Sequence, residues 1–151
     1  MVVPVVSINK AISVFAITAS YLLVPPSSAQ MNQLEDFALL DSKGQFHQLT
    51  RYRDMAAVLI FINQDNCELS DWAVAHLASF TSNFRDSIPL LALNHGSLTR
   101  SVERLSARNI PVLLDETGYI FQALNPSRGG ALLLLDPHRL EYRKLDKGFV
   151  A

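Results

Sequence analysis

The stretch from Ala56 to Arg85, AAVLIFINQDNCELSDWAVAHLASFTSNFR, limits the fold more than any other part of the chain. It opens with an unbroken apolar run, Ala56 to Ile62, rich in Val and Ile. Such a run is the pattern of a strand buried on both faces. Asn63 to Asn66 interrupt it, and a pattern of helical period follows at Leu69, Trp72, Ala73, His76, Leu77 and Phe80. The single cysteine of the sequence, Cys67, stands where the strand gives way to the helix. With Asp65 as N-cap and Glu68 three residues on, a variant capping box places Cys67 in the first helical turn. Unpaired N–H groups and the helix dipole favour an anion there, which promotes thiolate formation. Asp65, Glu68 and Asp71 act in the opposite sense, and no Lys or Arg stands close in sequence to offset them.

Residues 1–29 differ from the rest. Lys10 is their only charged side chain, Ala11 to Val24 is apolar or small throughout, and Pro25-Pro26 precede Ser27-Ser28-Ala29. A charged, then apolar, then small-residue order is that of a secretory signal peptide cleaved before Gln30. The rival is an uncleaved N-terminal membrane anchor, for which the run falls short of the ~20 residues a spanning helix needs. No cysteine near the cleavage point could carry a lipid. The expected organisation is therefore a signal peptide over 1–29 and one domain over 30–151, with the protein exported to the periplasm or another extracytoplasmic space. At 151 residues the chain suffices for one sizeable core. Beyond Ala29 the basic residues number 12 (13 less Lys10) against 14 acidic ones, a balance that excludes a nucleic-acid footprint or polybasic membrane patch. One cysteine cannot form an intramolecular disulfide, so in an exported protein it is free, capped or joined to another molecule.

Along the rest of the chain, Met31 to Asp36 reads as a leader, and Phe37 to Leu40 with Gln45 to Leu49 as a hairpin around Asp41-Ser42-Lys43-Gly44. Thr50 to Met55 is a polar connector with room for one helical turn. After the Cys67 helix come a buried strand, Ile88 to Asn94, and a helix from Leu98 to Arg108. An extended segment, Pro111 to Leu114, leads to a short helix, Tyr119 to Leu124, and a loop, Ser127 to Gly130. A strand from Ala131 to Leu135, a turn at Asp136 to Arg139 and a strand from Leu140 to Leu145 close the order. Strand–helix–strand alternation calls for parallel pairing with right-handed crossovers, ending in an antiparallel hairpin. The expected class is α/β, a central mixed sheet flanked by helices.

Four blocks in this order, FALLDSKGQFHQL, the strand–loop–helix around Cys67, NIPVLLDETGYIFQALN and ALLLLDPHRLEYR, resemble the thioredoxin-like superfamily. Within it they resemble the redoxin branch of alkyl hydroperoxide reductase and thiol-specific antioxidant type. The resemblance covers about Asp36 to Arg143. It implies a thioredoxin-like fold, a thiol-dependent chemistry and no cofactor. It also implies protein or small-molecule thiols and disulfides as partners. Cys67 matches the attacking cysteine of the family's W-C-x-x-C motif, and Ser70 occupies the resolving position, leaving C-x-x-S without the tryptophan. The peroxiredoxin motif P-x-x-x-T-x-x-C would need proline at Ile60 and threonine at Gln64. Aligned backwards from Asp136, Gly130 falls where the family has its cis-proline, and Arg128 comes within approach of the thiolate. The family's closing helix has no counterpart before Ala151. The expected consequence is an exposed face on strands such as Ala131 to Leu135, and self-association through it.

Serine at position 70 cannot complete a disulfide, so a dithiol cycle within one chain is excluded. Two functions stay open. One is an exported oxidoreductase or antioxidant acting through Cys67 alone; the other is a non-catalytic thioredoxin-fold module for binding or assembly in the cell envelope. A truncated, degenerate copy is a third reading. Of the histidines at 47, 76, 95 and 138, His76 is expected at the edge of the core and His95 at the rim of the site. Neither a metal set nor a phosphate loop, nucleophile elbow or dinucleotide fingerprint is expected.

Overall fold

The computed structural model describes residues 31–64, 71–84, 86–96, 100–126 and 130–145. Their elements run β1 (Asn32–Gln33), β2 (Ala38–Leu40), β3 (Phe46–Gln48), a 3-10 turn (Leu49–Tyr52), β4 (Val58–Gln64) and α1 (Asp71–Phe84). After them come β5 (Leu90–His95), α2 (Arg100–Ala107), β6 (Val112–Leu114), α3 (Tyr119–Leu124), β7 (Leu132–Asp136) and β8 (Glu141–Leu145). The main sheet has six strands in the order β1-β8-β7-β4-β5-β6. β4, β5 and β6 are parallel, while β7, β8 and β1 are added antiparallel. This is the mixed sheet the alternation of the sequence calls for.

β4 is apolar on both faces because it separates two cores. Val58, Ile60 and Ile62 pack with Leu91, Leu93, Leu133, Leu135 and the α3 residues Ile120 and Leu124. Leu59 and Phe61 face the other way, among Ala73, Val74 and Leu77 of α1 and Val102 and Leu105 of α2. Helix termini are set by local chemistry. α2 stops at Asn109, in the left-handed region at φ 57°, where the N–H of Ile110 reaches the Leu105 carbonyl at 3.2 Å and that of Asn109 reaches Ser106 at 3.0 Å. That paired closure satisfies carbonyls which a bare helix end would leave unmade.

The structure adds to two of the expected segments and corrects a third. The leader carries a short strand: Asn32 pairs with Tyr142 and Gln33 with Glu141, so β1 covers the edge of β8. Two residues are too few to carry a period of two, which is why the pattern hides it. The hairpin β2–β3 stands as its own two-stranded sheet, attached to the main one by a bridge from Asp41 to Leu113 and the Ser42 N–H on the Val112 carbonyl. The apolar face of α1 is also rotated from the expected one. Ala73, Val74, Leu77 and Thr81 are buried, whereas His76 is exposed. Thr81 joins that face because its hydroxyl donates to the Ala78 carbonyl at 2.7 Å, which removes the cost of burying it.

The leucines of β7 do not show the exposed face expected of them. Leu132, Leu133 and Leu135 are buried and Leu134 is half-buried. Among the described residues the exposed large apolar side chains are elsewhere: Met31, Leu40, Phe46, Phe84 and Tyr119.

Candidate functional site

The parallel strands β4, β5 and β6 end together, and that edge is where open α/β sheets place their chemistry. Gln64 closes β4 opposite His95, which closes β5. Cys67 and Ser70 follow directly in the chain, within 65–70, and Arg128 falls within 127–129; all three lie outside the described residues. What the structure supplies is the frame on either side of them. β4 delivers the chain to this edge, α1 takes it away from Asp71, and β7 enters beside β4 at the same edge.

At that entry Gly130 has φ 81° and its N–H donates to the Ile62 carbonyl at 2.8 Å, while the Ile62 N–H returns to Ala131 at 2.9 Å. A proline, the residue that the resemblance places here, has no N–H to give. Glycine therefore keeps a rung of the ladder that proline would forfeit.

Two asparagines sit under this edge on the α1 side. Asn63 and Asn94 are register partners, each 1% exposed, and Asn63 Nδ2 donates to Asn94 Oδ1 at 2.6 Å. Asn94 Nδ2 donates onward to the Gly96 carbonyl at 3.3 Å. Asn63 Oδ1 is buried without a hydrogen-bond partner. Buried amide oxygens are rarely left so, because an unmade bond costs about 1–3 kcal/mol. The sequence carried a signal for this pair: asparagine ends each of two otherwise apolar strands, IFIN and LALN.

On the opposite side of the sheet His95 is held in a slot. Its ring stacks on Phe121 with centroids 4.8 Å apart, and Nδ1 is 3.4 Å from the Asp115 carbonyl. Gly118, at φ 72°, lines the other side, where an added Cβ would come within 2.6 Å of His95 Cε1. Asp115 is 1% exposed, and its Oδ2 accepts the Phe121 N–H at 2.7 Å, fixing the start of α3 under the ring. His95 thus stands at the edge where β4 and β5 end, its register partner being Gln64. Among the described residues no group of His, Cys, Asp and Glu is arranged to hold a metal ion. Nor is any described helix long and apolar enough to cross a membrane.

No family model matches the sequence, and no curated protein does. Solved structures do match, at low identity. The exposed lipoprotein thioredoxin of Streptococcus pneumoniae superposes with a TM-score of 0.62 at 16% identity, over 78% of this chain and 92% of that one. The fold is thioredoxin-like. A thioredoxin domain of a thiol-disulfide oxidoreductase from Bacteroides vulgatus gives 0.58 at 14%, covering 76% of this chain and 86% of its own. A secreted disulfide oxidoreductase of Mycobacterium tuberculosis gives 0.57 at 10%, over 76% and 87%. The thioredoxin-like frame agrees with the sheet order and with β4 being followed by α1.

Proposed function

We propose that the chain is an exported thioredoxin-like protein of the redoxin type whose chemistry is carried by Cys67 alone. The observation that supports this most is the frame: β4 ends at Gln64, α1 begins at Asp71, and the only cysteine of the sequence falls between them in the chain. The structural neighbours whose names describe disulfide oxidoreductases, one of them secreted, support the same reading. In the reaction, the Cys67 thiolate attacks one sulfur of a partner disulfide R–S–S–R′. The Cys67–S–S–R bond forms, the S–S bond of the partner breaks, and R′–S⁻ leaves with the electron pair and takes a proton from water. An external thiolate R″–S⁻ then attacks the R sulfur of the mixed disulfide; R″–S–S–R forms, the bond to Cys67 breaks and Cys67 leaves as the thiolate, a step Ser70 cannot supply. Arg128 is a candidate for approaching the thiolate. Residues 1–29 act as the signal peptide.

The second reading is a non-catalytic thioredoxin-fold module of the envelope. Ser70 at the resolving position and the carboxylates Asp65, Glu68 and Asp71, close to the thiol in sequence, favour it. The deciding experiment is turnover of a model disulfide with glutathione as the resolving thiol, for the wild type and Cys67→Ser. Turnover that disappears in the serine variant supports the oxidoreductase; none in either protein leaves the binding module.

A further inference from the structure

At the other end of the sheet, where β5 and β6 begin, the structure holds a cavity of about 420 Å³. Its volume lies in the range of small-molecule sites, ~300–1,000 Å³. Pro89, Ile110 and Pro111 give it an apolar side, and Asp41, His47, Tyr52 and Thr81 give it a polar one. Tyr52 Oη lies 2.7 Å from His47 Nδ1, and His47 Nε2 lies 3.1 Å from Asp41 Oδ2.

The hydroxyl hydrogens of Tyr52 and Thr81 are already engaged within the protein. An ionised carboxylate can only accept, so His47 Nε2 carries the hydrogen shared with Asp41. In the neutral ring Nδ1 is then an acceptor, and Tyr52 Oη donates to it. The Thr81 hydroxyl donates to the Ala78 carbonyl at 2.7 Å. Both hydroxyl oxygens therefore offer a guest lone pairs and no hydrogen. Asp41 adds charge to this wall. It is 6% exposed; burial works to raise its carboxyl, but the N–H of Gln45, the His47 side chain and the N–H of Lys43 outweigh that and keep it ionised. These neutral donors stabilise the carboxylate without cancelling its charge. Among the described residues the other permanently charged group of the lining is Lys43, which is exposed. Solvent screens its ammonium, whereas the field of Asp41 passes through a wall of low dielectric.

We propose that this cavity binds a small organic ammonium ion, its apolar body against Pro89, Ile110 and Pro111 and its N–H donors towards Tyr52 Oη and Thr81 Oγ1. Asp41, one step back behind His47, supplies the countercharge. An ammonium carries three donors and no acceptor, which complements a wall of lone pairs and one negative charge. An anion of the same shape meets that charge with repulsion, and an alcohol keeps the hydrogen bonds but loses the attraction.

The test is a titration of the purified chain with benzylammonium chloride, followed by backbone amide shifts at about pH 7, where an alkylammonium keeps its proton. Benzyl alcohol and benzoate are the neutral and anionic controls. The expected result is saturable shifts at Gln45, Thr81 and Ile110, with binding at least tenfold tighter than that of either control. Asp41→Asn should weaken benzylammonium fivefold or more and leave benzyl alcohol unchanged. Tyr52→Phe, which removes one acceptor and keeps the ring, should weaken it threefold or more and decides the matter if the Asp41 variant fails to fold. Lys43→Gln, a change at an exposed side chain, should leave binding the same or tighten it. Non-saturating shifts, a control that binds as tightly, or ammonium binding indifferent to both Asp41→Asn and Tyr52→Phe would each overturn the proposal, as would weaker binding in Lys43→Gln. Cys67 takes no part, so these outcomes are independent of the redox reading.

Discussion

Gly118 shows how a single missing side chain holds a site edge together. A Cβ there would meet His95 Cε1 at 2.6 Å, and the backbone sits at φ 72°. The left-handed region alone costs a non-glycine residue ~1–2 kcal/mol. Gly118→Ala should therefore lower stability by at least ~2 kcal/mol in urea unfolding, once displacement of the ring is added. A loss below half of that would mean the ring is not held as described. The asparagine pair makes a different claim. Asn94→Leu strands the whole Asn63 carboxamide in the core, a loss of ~2–3 kcal/mol. Adding Asn63→Leu removes the stranded amide, so the double variant should be more stable than Asn94→Leu alone. Additive losses would show that the two amides do not depend on each other. By sequence, a helix following Cys67 favours its thiolate and the nearby carboxylates Asp65, Glu68 and Asp71 disfavour it. Glu68→Gln with Asp71→Asn should lower the pH midpoint of alkylation below that of the wild type, since the carboxylates are then removed. A wild-type midpoint near or below ~6, with fast peroxide consumption lost in Cys67→Ser, would mark a peroxidase.

The hairpin is the element whose stability should respond to acid. Burial of Asp41 works to raise its carboxyl, but the N–H of Gln45, the His47 side chain and the N–H of Lys43 together outweigh it and hold the group below its usual 3.8. A carboxyl lowered in the folded state stabilises the fold above its unfolded value, and that contribution is lost as pH falls through the folded one. The loss belongs below pH 3.8, and Asp41→Asn should flatten the stability profile there while leaving its shape near neutrality. An unchanged acid limb in Asp41→Asn would remove Asp41 from the account. In β4 the controlling quantity is volume: Phe61 is fully buried against α1 and α2, so Phe61→Ala should cost ~3–5 kcal/mol. The rotated face of α1 belongs to the same scale. Leu77 and Ala73 fit two neighbouring helical stripes, one through His76 and one through Val74 and Thr81. A period of 3.6 does not choose between them, and packing on the sheet chose the second.

For the molecule as a whole, the expected oligomeric state turns on which apolar surface is uncovered. Self-association through the sheet rests on exposed leucines in β7, and none of them is exposed. Leu40 and Phe46, paired across the hairpin, are the exposed apolar neighbours instead. Light scattering should find a monomer; a concentration-dependent dimer abolished by Leu134→Ser would restore the sheet face. Export is tested on the envelope fraction, where the mature chain should begin at Gln30, and a chain still starting at Met1 would overturn cleavage.

By itself the sequence determined the parallel centre of the sheet. Val58 to Ile62 and Leu90 to Leu93 are apolar without alternation, and only strands covered on both faces tolerate that. It also determined the order of helices between them and the place of the single cysteine after β4, because those are properties of local period and chain order. The tertiary structure decided what depends on partners far apart in the chain. β1 exists because β8 offers it an edge, and Asn63 is a buried amide because Asn94 stands across from it. A cavity of about 420 Å³ joins Asp41, His47 and Tyr52 from three successive segments to Pro89, just before β5, and Ile110, just before β6, a meeting that no local pattern encodes. Secondary structure follows from residues a few positions apart, whereas a site is made by residues whose closeness is created only when the sheet assembles.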